Sequence, residues 1–259
     1  MRCLRQLASI FRFGCNKGNK DTEVLRYKST KPGKALKPGT ELRILCVGDS
    51  ITVGFLSDQD GGDGNGYRLR LLDDLSQDQV VFAGTETAGT MKDGYFAAWS
   101  GKTIQFITDN VGPSLTQRPN IVLVHAGTND MNSSNAISTE GNDPAAAAER
   151  LGLLVDKITD ACPDAVVLVA MIIGTWDQAQ AHRTRQFDAL IPGLVRQRRD
   201  AGRRMLAVDF TSFSSKLLRD GVHPTNEGYH VFGDYWYDFV TQIPVEWIQP
   251  PVGNDPDRW

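Results

Sequence analysis

Cysteine is scarce in this chain, with four in 259 residues, too few for a disulfide scaffold. Cys3 and Cys15 lie near the N-terminus, Cys46 falls in an apolar run and Cys162 precedes a proline, with no metal-ligand spacing among them. They read as two small buried hydrophobes and two terminal thiols, and they demand no oxidising compartment. Histidine is equally sparse, at four, so an imidazole base has few places to be. No apolar run reaches the roughly 20 residues of a membrane-spanning helix. Positive charge is also short once the first 40 residues are set aside: those carry ten Lys or Arg against two acids, and the remaining 219 carry 18 against 29. A body with a net charge of −11 excludes nucleic acid as the main partner, because phosphate binding needs a cationic face.

What is present divides into three parts. Residues 1–40 form a basic leader and linker: Leu4, Leu7, Ala8 and Phe11 recur at helical spacing among Arg2, Arg5 and Arg12. That pattern predicts a disordered tail or an amphipathic targeting helix able to touch an anionic membrane, and Lys31-Pro32-Gly33 and Lys37-Pro38-Gly39 then break any helix. Lacking a clean secretory signal, the leader favours an intracellular protein, with mitochondrial or secreted locations open. Residues 41–243 hold the folded domain, and residues 244–259 a Pro-rich tail that wraps the domain or is disordered.

Within the domain, apolar runs at Leu42–Val47, Val80–Ala83, Ile121–Val124, Ala165–Ala170 and Met205–Val208 alternate with helical patterns at Tyr67–Leu75, Thr103–Asn110, Pro144–Ala161, Ala179–Gly202 and Thr225–Gln242. Strands that alternate with helices and show no polar face predict a parallel sheet covered on both sides. The expected fold is a three-layer α/β/α domain with five parallel strands.

The first strand stops abruptly at Gly48-Asp49-Ser50, which sets a hydroxyl at the carboxyl edge of the sheet, where α/β proteins bind ligands. A serine needs a base, a group to orient the base, and donors for a developing oxyanion. His223, in Asp220-Gly221-Val222-His223-Pro224, follows the fifth strand and is kept out of the last helix by Pro224. Asp220 can hold one imidazole nitrogen, leaving the other to take the Ser50 proton. Asn129, in Gly127-Thr128-Asn129-Asp130 after the third strand, offers an uncharged amide donor. Gly101, in Trp99-Ser100-Gly101, offers a backbone N–H, as does Ser50 itself. His125 reads as a packing residue at a strand end, and His182 and His230 as structural residues of helices.

These blocks, in this order, resemble those of the GDSL-type hydrolases of the SGNH superfamily, over roughly Glu41 to Gln242. The resemblance implies a flavodoxin-like, doubly wound sheet and carbonyl-ester hydrolysis with no metal or organic cofactor. It implies Ser50 as nucleophile, His223 as base, Asp220 as its partner, and Ser50, Gly101 and Asn129 as the oxyanion hole. Finer similarity is to the acetyl xylan esterase-like branch of carbohydrate esterases, carried by Asp49-Ser50-Ile51-Thr52, Gly66-Tyr67-Arg68, Phe82-Ala83-Gly84-Thr85 and Gly89-Thr90-Met91-Lys92-Asp93. Tyr95 to Trp99 departs from it, where that branch often has an acid, a glycine and a histidine. The expected substrate is an acetylated carbohydrate or other small acyl ester, xylan itself staying open, taken by a monomer. A lipid-directed acylhydrolase and a silent carbohydrate-binding module are the alternatives.

Trp99 and Trp176, each a few residues past a strand end, are candidate sugar-stacking platforms, and Asp49 is a further candidate substrate contact, although shaping its own turn suits it better. The acidic, glycine-rich stretch Ser57 to Gly66 matches neither an EF-hand nor a phosphate loop and reads as a loop bordering the site.

Overall fold

The computed structural model describes residues 24–256, so the leader pattern at residues 4–12 lies outside the described residues. Within them eight strands and seven α-helices follow one another: β1 (Val24–Leu25), β2 (Leu42–Gly48), α1 (Ser50–Val53), α2 (Arg68–Asp74), β3 (Val80–Ala83), β4 (Glu86–Thr87) and β5 (Tyr95–Ala98), then α3 (Ile104–Asn110), α4 (Gly112–Leu115), β6 (Ile121–His125), α5 (Pro144–Ala161), β7 (Val166–Met171), α6 (Gln178–Asp200), β8 (Met205–Asp209) and α7 (Asn226–Thr241). The five expected strands are β2, β3, β6, β7 and β8, and they run parallel in the order β3-β2-β6-β7-β8. Three short strands make the sheet mixed and larger than expected. β1 adds to β8, β5 pairs with the end of β2, and β4 lies antiparallel to β5.

Every residue of β2 is buried, and the two-residue period of a strand divides them between two cores. Leu42, Ile44 and Cys46 join the layer that includes Tyr67, Phe232 and Trp236 from α2 and α7 or just before them, whereas Leu45 and Val47 join Ile107, Leu151 and Ile191 from α3, α5 and α6. Helices therefore cover both faces, as the absence of polar alternation required. The helix starts are chemically marked: Asp143 caps α5 by accepting from the Ala146 N–H ahead of Pro144, and Thr225 caps α7 by accepting from Gly228. Among the described residues no helix is long and apolar enough to cross a membrane.

Part of the stretch expected as leader and linker packs on the domain. Tyr27 stacks on Tyr235 with ring centroids 3.9 Å apart, and the Lys28 and Thr30 N–H groups donate to the buried carboxylate of Asp238 at 3.0 and 2.9 Å. A buried carboxylate needs such donors, so this part of the leader belongs to the domain. The tail wraps for the same kind of reason. Arg43 points from β2 into a site where it is 1% exposed, and the carbonyls of Val252 and Gly253 and the carboxylate of Asp255 receive its guanidinium.

Candidate active site

The site is built where β2 ends. A side chain at Gly48 would put its Cβ 2.3 Å from the His125 carbonyl oxygen and 2.4 Å from Thr52 Oγ1, so only glycine lets β2, β6 and α1 meet so closely. Asp49 then caps α1, accepting from the Ile51 N–H at 3.1 Å, and Ser50 opens the helix, 5% exposed. Asp49 is wholly buried, which corrects its candidacy as a substrate contact: its carboxylate shapes the turn from beneath. Burial pushes its pKa up to about 6, against the Ile51 N–H, the Thr128 hydroxyl and the charge of His223.

Ser50 Oγ lies 2.8 Å from His223 Nε2, and His223 Nδ1 lies 2.8 Å from Asp220 Oδ2. The other Asp220 oxygen accepts from the Val222 and His223 backbone N–H groups at 3.0 and 2.8 Å. Burial alone would raise the Asp220 carboxyl; the backbone N–H and imidazole of His223 outweigh it and leave the pKa below its ordinary value. An ionised Asp220 keeps the proton on Nδ1, which leaves the Nε2 lone pair facing the serine hydroxyl.

Two further loops leave the sheet at the same edge, because β5 and β6 both pair with Gly48, through Ala98 and His125. Gly101 sits at φ +73°, a left-handed turn, with open space where a Cβ would stand. The Asn129 amide donates to the Lys102 carbonyl at 2.9 Å, which orients it and ties its loop to that of Gly101. Beneath them Asp130, fully buried, accepts from the Ile104 N–H at 2.9 Å and from Arg150 at 2.9 Å, fixing the loop to α3 and α5. His125 is buried as packing under the site: its ring meets Phe210 and Phe232 edge-on, and desolvation drives its pKa down to about 3. His182 and His230 are exposed on α6 and α7.

The two tryptophans part company. Trp176 is 53% exposed and lies against Gly221 in the loop that carries His223, and its Nε1 donates to the Ser215 carbonyl at 3.0 Å, which fixes the tilt of the ring. Trp99 is half-buried and set edge-on to Phe106 at 5.8 Å, a packing position beside α3. Two residues near the site had no role read from the sequence. Arg68, buried, donates to the carbonyls of Thr52, Val53 and Ala88 and so clamps the end of α1. Phe55 stands 43% exposed with its ring centroid 4.8 Å from that of His223. Arg68 falls within the Gly66-Tyr67-Arg68 block and Phe55 in no block, and for both only the meeting of α1 with distant loops gives them their places. The Ser57–Gly66 loop does border the site, with Asp60 paired to Arg219, and among the described residues no cluster of three or more His, Cys, Asp or Glu is arranged to hold a metal.

A hydroxyl, an imidazole and a carboxylate hydrogen-bonded in line at the carboxyl edge of a sheet are equipped for nucleophilic acyl transfer, and that class agrees with the comparisons. Residues 46–231 match the GDSL-like Lipase/Acylhydrolase family, and the chain belongs to it, a family of carboxylic ester hydrolases. Among solved structures, a family 3 carbohydrate esterase from Clostridium thermocellum is 28% identical, with a TM-score of 0.62 over 77% of this chain and 97% of that one. A family 3 carbohydrate esterase from Talaromyces cellulolyticus, 21% identical with a TM-score of 0.64 over 79% of this chain and 98% of that one, shares the fold. A sequence relative from Acetivibrio thermocellus, "Putative endoglucanase X", is 27% identical over 146 residues, 54% of this chain and 59% of that protein. The match thus spans less than two thirds of that relative.

Proposed function

We propose that this chain is a serine esterase that removes small acyl groups, acetyl foremost, from carbohydrate. The observation that carries the reading is the 2.8 Å and 2.8 Å line from Ser50 through His223 to Asp220. In this mechanism His223 takes the Ser50 proton as Oγ attacks the ester carbonyl. The N–H groups of Ser50 and Gly101 and the Asn129 amide receive the oxyanion. His223 then hands its proton to the departing sugar oxygen, which leaves as a free hydroxyl, and water repeats the sequence to release the acid. Asp220 holds the tautomer throughout, and Trp176 offers its face to the sugar.

The carbohydrate half of the reading is supported by relatives named as carbohydrate esterases. The test is acid release by the full chain from p-nitrophenyl acetate, butyrate and octanoate and from an acetylated xylo-oligosaccharide, beside Ser50→Ala. Activity on acetate and on the oligosaccharide acetate, falling with acyl length and absent in the variant, is expected. A chain that prefers octanoate, or a Ser50→Ala variant as active as wild type, overturns the reading.

A further inference from the structure

Among the described residues only two Phe, Tyr or Trp side chains are exposed, Phe55 and Trp176, and both stand at the His223 loop. Water-facing aromatic rings that converge on one site mark a surface built to be covered. Phe55 is not a loose side chain. Its N–H donates to the Ser50 carbonyl at 2.9 Å, and its own carbonyl accepts from Tyr229 Oη at 2.8 Å, so its backbone is fixed from both sides just past the short helix that carries the nucleophile.

Beside Phe55 lies a cleft of about 520 Å³, running from the end of α1 to Gly64 and Thr90. Its volume is that of a small-molecule site. Its frame is preformed: the buried Asn65 accepts from the Thr90 and Met91 N–H groups, both at 2.8 Å, and Arg68 holds the Ala88 carbonyl. Asp58, Gln59, Asp63 and Thr90 line it together with Phe55. Carboxylates, an amide and a hydroxyl accept from and donate to hydroxyl groups, and Val53, Leu56 and Ala88 add apolar surface that the C–H face of a sugar can meet.

We propose that this cleft holds the sugar unit adjoining the one that bears the ester, with Phe55 as its stacking face and Asp58 and Gln59 as partners for its hydroxyls. The inference rests on the esterase reading and narrows its substrate from any acetylated sugar to an acetylated oligosaccharide. Phe55 and Asp58 act on specificity rather than on the bond that breaks.

The experiment compares kcat/KM on acetylated xylotetraose with kcat/KM on xylose monoacetate, for wild type, Phe55→Ala, Phe55→Trp and Asp58→Asn, each checked for its thermal midpoint. Wild type should favour the tetraose. Phe55→Ala and Asp58→Asn should each lower the tetraose-to-monoacetate ratio by about tenfold, mainly through KM, and Phe55→Trp should restore it. Should Phe55→Ala melt early, Asp58→Asn decides. A ratio unmoved in the folded variants overturns the cleft and leaves the esterase reading standing. A wild type that cleaves p-nitrophenyl acetate but neither sugar acetate removes the carbohydrate reading and the cleft with it.

Discussion

Replacing Asp220 by asparagine tests the proposed role of the carboxylate with almost no change of shape. Asp220 Oδ1 accepts two backbone N–H groups, at 2.8 and 3.0 Å, while Oδ2 faces His223 Nδ1 at 2.8 Å. In the Asp220→Asn variant the new side chain keeps its oxygen on the two N–H donors and therefore turns its amide NH₂ towards Nδ1. The imidazole must then accept there, which moves its proton to Nε2, facing Ser50 Oγ, and the base is lost. Flipping the amide would rescue the tautomer but would give up two hydrogen bonds and set donors against donors, on the order of 3 kcal/mol in all. About one molecule in 10² is then competent, and the missing charge beside the imidazolium costs more. The expected fall in kcat on p-nitrophenyl acetate lies between about 10² and 10⁴, with the thermal midpoint little changed. A folded Asp220→Asn variant within tenfold of wild type would refute the assignment.

Asn129→Ala removes one proposed oxyanion donor and should slow turnover by roughly 100-fold or more, read as kcat with KM nearly unchanged; a loss confined to KM would make Asn129 a binding group instead. Asp188, buried on α6, accepts from the Ile172 N–H at 2.7 Å just past the end of β7, and burial raises its pKa to about 8, with Asp209 adding to the rise. Between the ordinary carboxyl value near ~4 and about 8 the folded chain holds a proton that the unfolded chain has released, so stability falls as pH rises through that window. The slope for this one group approaches about 1.4 kcal/mol per pH unit. In Asp188→Asn, whose amide oxygen can still accept from Ile172, denaturant midpoints from pH 5 to 8 should decline less steeply than in wild type; parallel curves would contradict it. Gly101→Ala meets no atom but must hold φ +73°, so about 1 kcal/mol of strain should appear as a lowered melting temperature, and an unchanged midpoint would contradict the left-handed turn.

The parts of the molecule legible in the sequence are those whose cause is local. Strands β2, β6, β7 and β8 are mainly apolar runs, interrupted in β2 by Arg43, and Asp220 and His223 sit three residues apart in a single turn ahead of a proline. The parts that are not legible depend on partners far along the chain. β1 is two residues long, and what holds the segment after it is Asp238, 210 positions beyond Lys28. Arg43 looks like an interruption in an apolar strand until the tail returns to cover it. Trp99 and Trp176 follow strand ends alike, and only their neighbours, Phe106 for one and Gly221 for the other, separate a packed ring from an open one. Phe55 carries no signature at all: its exposure beside His223 comes from the way α1 ends and α7 arrives. Asp49 reads from the sequence both as a turn-shaping residue and as a substrate contact, and only the first holds, because burial is a property of the assembled layers and not of the Gly-Asp-Ser turn.

The central claim is that Ser50 is the nucleophile. Wild type, Ser50→Ala and His223→Ala are each treated with diethyl p-nitrophenyl phosphate, a reagent that phosphorylates activated serines, and the digested protein is mapped by mass spectrometry. One diethylphosphoryl group is expected in wild type, on the peptide carrying Ser50, with parallel loss of esterase activity, no modification of Ser50→Ala, and strongly slowed modification of His223→Ala. A wild type that loses activity through modification of another residue, or a Ser50→Ala variant that still turns over p-nitrophenyl acetate, would contradict it.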